Sequence, residues 1–498
     1  MGNNLDINNT HETLAHRFEK QSRTSPKKAA IILDETITSY GDLDKLVQFY
    51  INEFKKLEAN GRFLTNRQFA ICLKNSPDIP AVFIAASVIG LNCQILNPDW
   101  PAERIQNLLA YLKTSYLISK TDEQQLRSNQ NQSECVSKND ASPDLPLYTG
   151  FTSGSTGLPK GFIRSQTSWL KSFQADQEIF NFHEDDVILA PGSLAHSLSL
   201  YATIRGIFGG MTTLLSSVFR PDKCITQIRN FSASILYLTP VQIRSILDYL
   251  TSKAPSDLQE LATVRLILSS GAKFPEAWIK EVEAFFPNAK IIEFYGTSEL
   301  SYISYNHLHV GQPSGLVGKP FPGVNIKIDS QDNQREQGPI RIKSDFIFDG
   351  YAAMGGVASR ENCDLVDGYL SVGDTGYLDD EGNLYIKGRA DRIFLSSGRN
   401  ISPEEIETIL QSHPDIEHAA IFPKEDARKE NTILAILKWD QRRLDHQQIK
   451  RVLRSLLATY QIPKDIYTLD VWPKTVSDKT DLQALKAALE DNLLEKIK

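Results

Sequence analysis

Residues Thr152-Ser-Gly-Ser-Thr-Gly-Leu-Pro-Lys-Gly161 place four hydroxyls, three glycines and one lysine in ten positions. The run before them, Leu147-Tyr-Thr-Gly-Phe151, predicts a short strand that delivers the loop. Glycines let backbone N–H groups turn toward a ligand, and hydroxyls add donors. Such a concavity suits an anion, and a lysine makes it suit a phosphate. The Walker pattern does not fit. Counted from Gly154, its second glycine falls on Pro159, and Gly161 stands where its Ser or Thr should follow the lysine. A loop of this composition standing alone reads equally well as a surface linker.

The rest of the chain sets the bounds. At 498 residues it is long enough for about three domain-sized units. Hydrophobic residues make up 41% and charged residues 23%, ordinary for a water-soluble fold. The net charge is −7, with Lys and Arg spread throughout, so no basic stripe invites nucleic acid or anionic lipid. Cys72, Cys93, Cys135, Cys224 and Cys363 show no Cys-x-x-Cys spacing, which favours reduced thiols over zinc or a disulfide framework. No apolar stretch is long enough for a membrane span, and residues 1–20 carry no secretory signal. A cytoplasmic enzyme without integral membrane association is expected.

Strands and helices alternate from the start. Ala29–Leu33, Phe69–Leu73 and Asn92–Asn97 predict strands. Asp42–Phe54, with Leu43, Leu46, Val47, Tyr50 and Ile51 at helical spacing, and the apolar run Pro80–Gly90 predict helices. Strands are also expected at Val187–Ala190, Thr212–Leu215, Ile235–Leu238 and Leu266–Ser269. Alternation of this kind argues for parallel sheets covered on both faces. Residues 121–142 are almost wholly polar and read as an exposed loop. From 310 to 390 short strands separated by Gly/Asp turns, such as Asn325–Ile328, Ile340–Lys343 and Leu384–Lys387, predict a small β subdomain. A compact tail follows, with Ser402 expected to cap a helix over Pro403–Leu410, strands at Ile416–Pro423 and Thr432–Lys438, and a helix over Gln447–Tyr460. The expected fold class is α/β. A large N-terminal domain (1–390) of parallel-rich sheets and helices, with the β subdomain, precedes a small α+β C-terminal domain (391–498).

Four further motifs follow the loop in order: Tyr295-Gly-Thr-Ser-Glu299, Ser371-Val-Gly-Asp374-Thr-Gly376, Gly388-Arg389-Ala-Asp391-Arg392, and a near-terminal lysine. Together they resemble the adenylate-forming superfamily of acyl- and aryl-CoA synthetases, peptide-synthetase adenylation domains and luciferases. The resemblance runs from Tyr40-Gly-Asp-Leu-Asp44 to Lys479. It implies a ligase that uses ATP and Mg²⁺ to activate a carboxylic acid as its adenylate and then passes the acyl group to coenzyme A. The phosphopantetheine arm of an acyl carrier protein ends in the same thiol and stays open as acceptor. A nucleotide-binding homologue without catalysis is the third alternative.

The resemblance also implies roles. Thr152, Ser153, Gly154, Ser155, Thr156, Gly157 and Lys160 would hold the β- and γ-phosphates. Glu299 would bind magnesium, as suits an ion that takes few protein carboxylates beside phosphate oxygens. Tyr295 would lie against adenine, within the run Gly296, Thr297 and Ser298; the superfamily usually has Thr where Ser298 stands. Gly271 and Ala272 would edge the adenine, although a plain strand end of small residues reads nearly as well. Asp374 would accept both ribose hydroxyls, helped by Arg389. Asp391 would be the hinge about which the C-terminal domain rotates, presenting Lys479 for adenylation or Ser397, Gly398 and Arg399 toward the thiol cofactor. Asp478 replaces a glycine that usually precedes the lysine, so Lys474 is kept as the alternative to Lys479. Thr152, Glu299 and Lys479 are the expected catalytic residues. The acid pocket is read from His196, Tyr237, Gly271 and Gly296. No Asp is placed to grip an α-amino group, which favours a fatty or aryl acid.

Overall fold

A computed structural model describes residues 13–61, 67–120, 141–152, 159–253, 261–329, 337–361, 363–389, 392, 394–396, 399–426, 430–440, 443–456, 461–475, 479–491 and 493–497. The chain divides into two compact units. The larger holds 1–312, 318–325 and 342–370; the smaller holds 313–317, 326–341 and 371–498.

Two mixed sheets organise the larger unit. In one, the strands run in the order Ala358–Ser359, Gly350–Ala352, Lys160–Ser165, Pro146–Thr152, Asn92–Ile95, Gln68–Ile71 and Leu117–Ile118. The last four are mutually parallel and the first four antiparallel. In the other, Ser301–His307 pairs antiparallel with Lys290–Thr297. Leu266–Ser269, Ile235–Leu238, Val187–Leu189, Thr212–Leu215 and Ala29–Leu33 then continue in parallel, and Thr36–Ser39 closes the edge. These parallel strands are largely apolar and buried, as strands covered by helices on both faces are. Pro221–Phe231 and Pro240–Thr251 bury Cys224, Ile225, Ile228, Ile243, Ile246 and Leu247 against Leu214, Leu236 and Ile267. Helix Asp78–Ile89 is buried from Asp78 to Val88 and stops at Gly90, whose φ of 73° is the left-handed turn a glycine supplies at a helix end. Helix Tyr40–Ala59 starts where the Ser39 hydroxyl accepts the Asp42 N–H.

In the smaller unit, Ile416–Asp426 pairs antiparallel with Glu430–Trp439, which runs parallel to Asp465–Thr468, with Glu495–Lys496 at the edge. Helices Pro403–Gln411 and His446–Leu456 bury Ile406, Leu410, Ile449 and Leu453 in one apolar cluster; Leu485 of helix Leu482–Glu490 packs with Trp472 in another. Val324–Ile328, Gly338–Ser344 and Tyr369–Leu378, each divided between the two units, and Leu384–Arg389 of the smaller one supply strands of the β region. Ser402 departs from expectation. It occupies the N-cap position of Pro403–Gln411, but its side chain makes no capping bond. The hydroxyl donates instead to the Lys387 carbonyl, so a distant strand wins it from the helix end.

Candidate active site

The strands on either side of the glycine-hydroxyl run pair as an antiparallel hairpin. Thr152 ends one strand, Lys160 begins the next, and the two face each other in register. The Thr152 hydroxyl donates to the Lys160 carbonyl across 3.4 Å. This hairpin setting explains the failed Walker pattern, which needs a strand-to-helix turn. Ser153, Gly154, Ser155, Thr156 and Gly157 lie outside the described residues.

Lys160 and Glu299 meet through a residue that the sequence reading missed. The Tyr351 hydroxyl donates to Glu299 Oε1 at 2.7 Å, and the Lys160 ammonium sits 3.4 Å from the centre of the same ring. Strand Gly350–Ala352 delivers Tyr351 by pairing antiparallel with Lys160–Ser165, Tyr351 opposite Phe162. Gly350 cannot carry a side chain there, because a Cβ would lie 2.6 Å from the Ser359 carbonyl oxygen. The Phe348 N–H donates to the Glu299 carbonyl at 2.8 Å, and Arg360 donates to the carbonyls of Phe348 and Asp349. Cys363 stands in the field of both Lys160 and Glu299; burial chiefly pushes its thiol pKa up. The only local hint of Tyr351 was a Gly-Tyr pair 52 positions beyond Glu299, which no periodicity singles out.

The Tyr295–Glu299 run begins inside strand Lys290–Thr297 and turns at Ser298–Leu300. The register bulges between Tyr295 and Gly296. A Cβ on Gly296 would lie 1.9 Å from the Ser301 carbonyl oxygen, so only glycine fits. Ser301 itself holds a φ of 57° to close the turn. Thr297 Oγ1 is buried with no hydrogen-bond partner among the described residues. Glu299 Oε2 also lacks a partner among the described residues, and they contain no cluster of three His, Cys, Asp or Glu. One available carboxylate oxygen beside a lysine fits a magnesium ion completed by phosphate oxygens and does not fit an all-protein cage.

Gly271 and Ala272 follow strand Leu266–Ser269 and are exposed. Gly271 has a φ of 96°, and a Cβ there would meet only the Thr239 methyl at 3.8 Å, so conformation rather than crowding selects glycine. The loop is tied down behind: the Phe274 N–H donates to Glu293 at 2.6 Å and Lys273 forms an ion pair with the same carboxylate. Burial raises the Glu293 pKa and the Lys273 charge opposes the rise.

His196 precedes helix Ser197–Phe208 and is half-buried; burial lowers its pKa and Asp99 opposes that. Asn75 fixes the approach to it, donating to the Gly192 and Ser216 carbonyls and accepting the Leu194 N–H. Tyr237, read as pocket lining, is only 1% exposed, and its hydroxyl pairs with Tyr302 at 3.1 Å. The neighbouring Thr239 is half-buried and closes a capping box with Gln242.

Within the smaller unit Asp374 and Arg389 are cross-strand partners, carboxylate and guanidinium 3.8 Å apart. Gly373, at φ 77°, leaves room for the guanidinium, which a Cβ would meet at 2.8 Å. Lys479 is exposed, and its carbonyl accepts the Thr475 N–H at 2.7 Å; Lys474 bridges to Thr480. Asp391, Ser397 and Gly398 lie outside the described residues, and Arg399 opens strand Arg399–Ile401 opposite Ser396. Arg392 forms ion pairs with Glu404 and Glu407.

Residues 18–352 match the AMP-binding enzyme family and 405–479 its C-terminal domain. An uncharacterised acyl–CoA ligase of Bacillus subtilis strain 168, YhfT, is 31% identical over 97% of this chain and 99% of its own length. A putative long chain fatty acid–CoA ligase of Staphylococcus haemolyticus strain JCSC1435, VraA, is 29% identical over 93% of this chain and 95% of that protein. Among solved structures, the Bacillus subtilis o-succinylbenzoate CoA synthetase MenE in complex with ATP and magnesium superposes with a TM-score of 0.80. It is 22% identical, covering 94% of this chain and 99% of that one, a likeness of fold. The glycine-hydroxyl hairpin, the Tyr295–Glu299 turn and these matches lead to one conclusion: the chain belongs to the AMP-binding enzymes of the adenylate-forming superfamily.

Proposed function

We propose that the chain is an AMP-forming acid–thiol ligase that adenylates a fatty or aryl carboxylic acid and transfers the acyl group to coenzyme A. The observation that carries this reading is the grouping of Lys160 with the single carboxylate of Glu299 at the mouth of the loop hairpin. That arrangement serves a triphosphate with one divalent ion, and the acyl–CoA ligase names of the closely matching relatives support it. In the first half-reaction a carboxylate oxygen attacks the α-phosphorus, the bond to the bridging oxygen breaks and pyrophosphate leaves. In the second a thiolate attacks the acyl carbon and AMP leaves. Both reactants of the first step are anions, so alignment and fixed positive charge dominate catalysis. Mg²⁺ bound at Glu299 supplies charge neutralisation on the phosphates. Thr152 and Lys160 hold phosphate oxygens, and Asp374, steadied by Arg389, accepts the ribose hydroxyls. Tyr295 and the Gly271–Ala272 backbone flank adenine, with His196 at the acid pocket. Residues 391–498 move about Asp391, presenting Lys479 for adenylation and the Ser397–Arg399 side for thiol transfer.

The test is ATP–pyrophosphate exchange with a panel of fatty and aryl acids, followed by acyl transfer to free coenzyme A or to a phosphopantetheinylated carrier protein. Exchange with a subset of acids and transfer to coenzyme A is the expected result. ATP binding without exchange for any acid overturns the reading.

A further inference from the structure

Lys160 and Glu299 carry opposite charges at one site, yet they form no ion pair with each other; Tyr351 stands between them. The ring face takes the ammonium and the hydroxyl takes one carboxylate oxygen. A direct pair would cancel both charges before a nucleotide arrived. It would also cover the carboxylate oxygen and the ammonium protons that phosphate and divalent ion need. A tyrosine satisfies each group while leaving it usable. The π face attracts a cation without occupying its N–H donors fully. The hydroxyl orients a carboxylate through one oxygen and leaves Oε2 open. The backbone holds this spacer rigidly: Tyr351 is registered opposite Phe162, its ring meets Phe348 edge-on at 4.9 Å, and Arg360 secures the Phe348–Asp349 turn.

We propose that Tyr351 is a positioning residue that keeps Lys160 and Glu299 apart and separately poised, one for phosphate and one for the divalent ion. The proposal rests on the ligase reading, which assigns those two ligands. Tyr351→Phe keeps the ring and loses the hydroxyl. Tyr351→Leu loses both and lets lysine and glutamate collapse onto each other.

The experiment is calorimetric binding of ATP without acid substrate, in EDTA and then across a Mg²⁺ series. Losing a hydrogen bond to a metal ligand typically costs about 10-fold or more in metal affinity. Tyr351→Phe is therefore expected to raise the Mg²⁺ concentration that half-saturates the tightening of ATP binding by about 10-fold. Its metal-free ATP affinity should stay within about twofold, because the cation–π contact survives. Tyr351→Leu should also lose metal-free ATP affinity, by about 10-fold. Adding Glu299→Gln to Tyr351→Leu should restore that affinity, because the carboxylate that captures Lys160 is gone. A purely structural role for the tyrosine gives no such rescue. Wild-type metal-free affinity in Tyr351→Leu, or absence of rescue in the double variant, overturns the spacer role. If Glu299→Gln alone leaves the Mg²⁺ dependence unchanged and Lys160→Ala leaves ATP affinity unchanged, the underlying assignment of the two ligands falls and the spacer with it.

Discussion

Gly296→Ala is the most informative single change. The new methyl would sit 1.9 Å from the Ser301 carbonyl oxygen, a backbone atom with no side-chain freedom to yield. Carbon–oxygen contacts begin near 3.3 Å, so about 1.4 Å must be opened between the two strands. The gap falls where Gly296 faces Tyr302 and Thr297 faces Ser301, the pairs that close the turn carrying Glu299. Overpacking of this kind costs about 1–3 kcal/mol. Its effect on function adds to this, because a misplacement of about 1 Å at a reacting centre can cost about 100-fold. The expected outcome is a lowered urea midpoint together with a fall of about 100-fold in kcat/KM for acid-dependent ATP–pyrophosphate exchange. The stability-matched control is Asp176→Asn, which weakens the same unit elsewhere. Exchange that stays within threefold of wild type in Gly296→Ala, while stability drops, would show that the turn does not position the chemistry. Equal losses of exchange in both variants would show that stability alone explains the effect.

Lys479→Ala should abolish adenylation yet retain thioester formation from supplied acyl-adenylate; normal exchange in this variant transfers the role to Lys474 or elsewhere. Asp176 and Arg205 are both fully buried and paired at 2.8 Å. Asp176→Asn leaves a buried guanidinium uncompensated and should cost about 3 kcal/mol in urea unfolding, whereas Asp176→Leu with Arg205→Met should recover most of it. Burial holds the His196 pKa below its ordinary 6.5, so the unfolded chain takes up that proton first as pH falls. Stability from this group is therefore present above pH 6.5 and lost as pH falls below it, and His196→Asn should flatten the decline in unfolding midpoint on that side. An unchanged slope would remove His196 as its source.

Local order was readable because it depends on neighbours in sequence. The parallel strands Ile235–Leu238, Leu266–Ser269 and Thr212–Leu215 fall on the runs that predicted them, and Gly90 ends its helix in the left-handed conformation that glycine supplies. The loop stood out by its residue types, whereas Glu299 was singled out only by the resemblance that its Tyr295–Glu299 run carries. Tyr351 was not, because its partners are supplied by a strand pairing nearly two hundred positions back, at Phe162. Ser402 misled for the same reason: its composition signals a cap, but the Lys387 carbonyl competes for the hydroxyl. Asn75 likewise acts through carbonyls at 192 and 216, a clamp that exists only after the strands assemble.

The two units take turns along the chain: 313–317 and 326–341 belong to the smaller one, yet 342–370 returns to the larger. Strand Gly350–Ala352, which carries Tyr351 to the loop hairpin, is therefore translated after the smaller unit has already begun. On a ribosome the larger unit waits, with the edge of Lys160–Ser165 uncovered, until residue 352 has cleared the exit tunnel. The Lys160–Tyr351–Glu299 group thus assembles late, and the growing polypeptide must keep that open edge from joining a neighbour in the meantime.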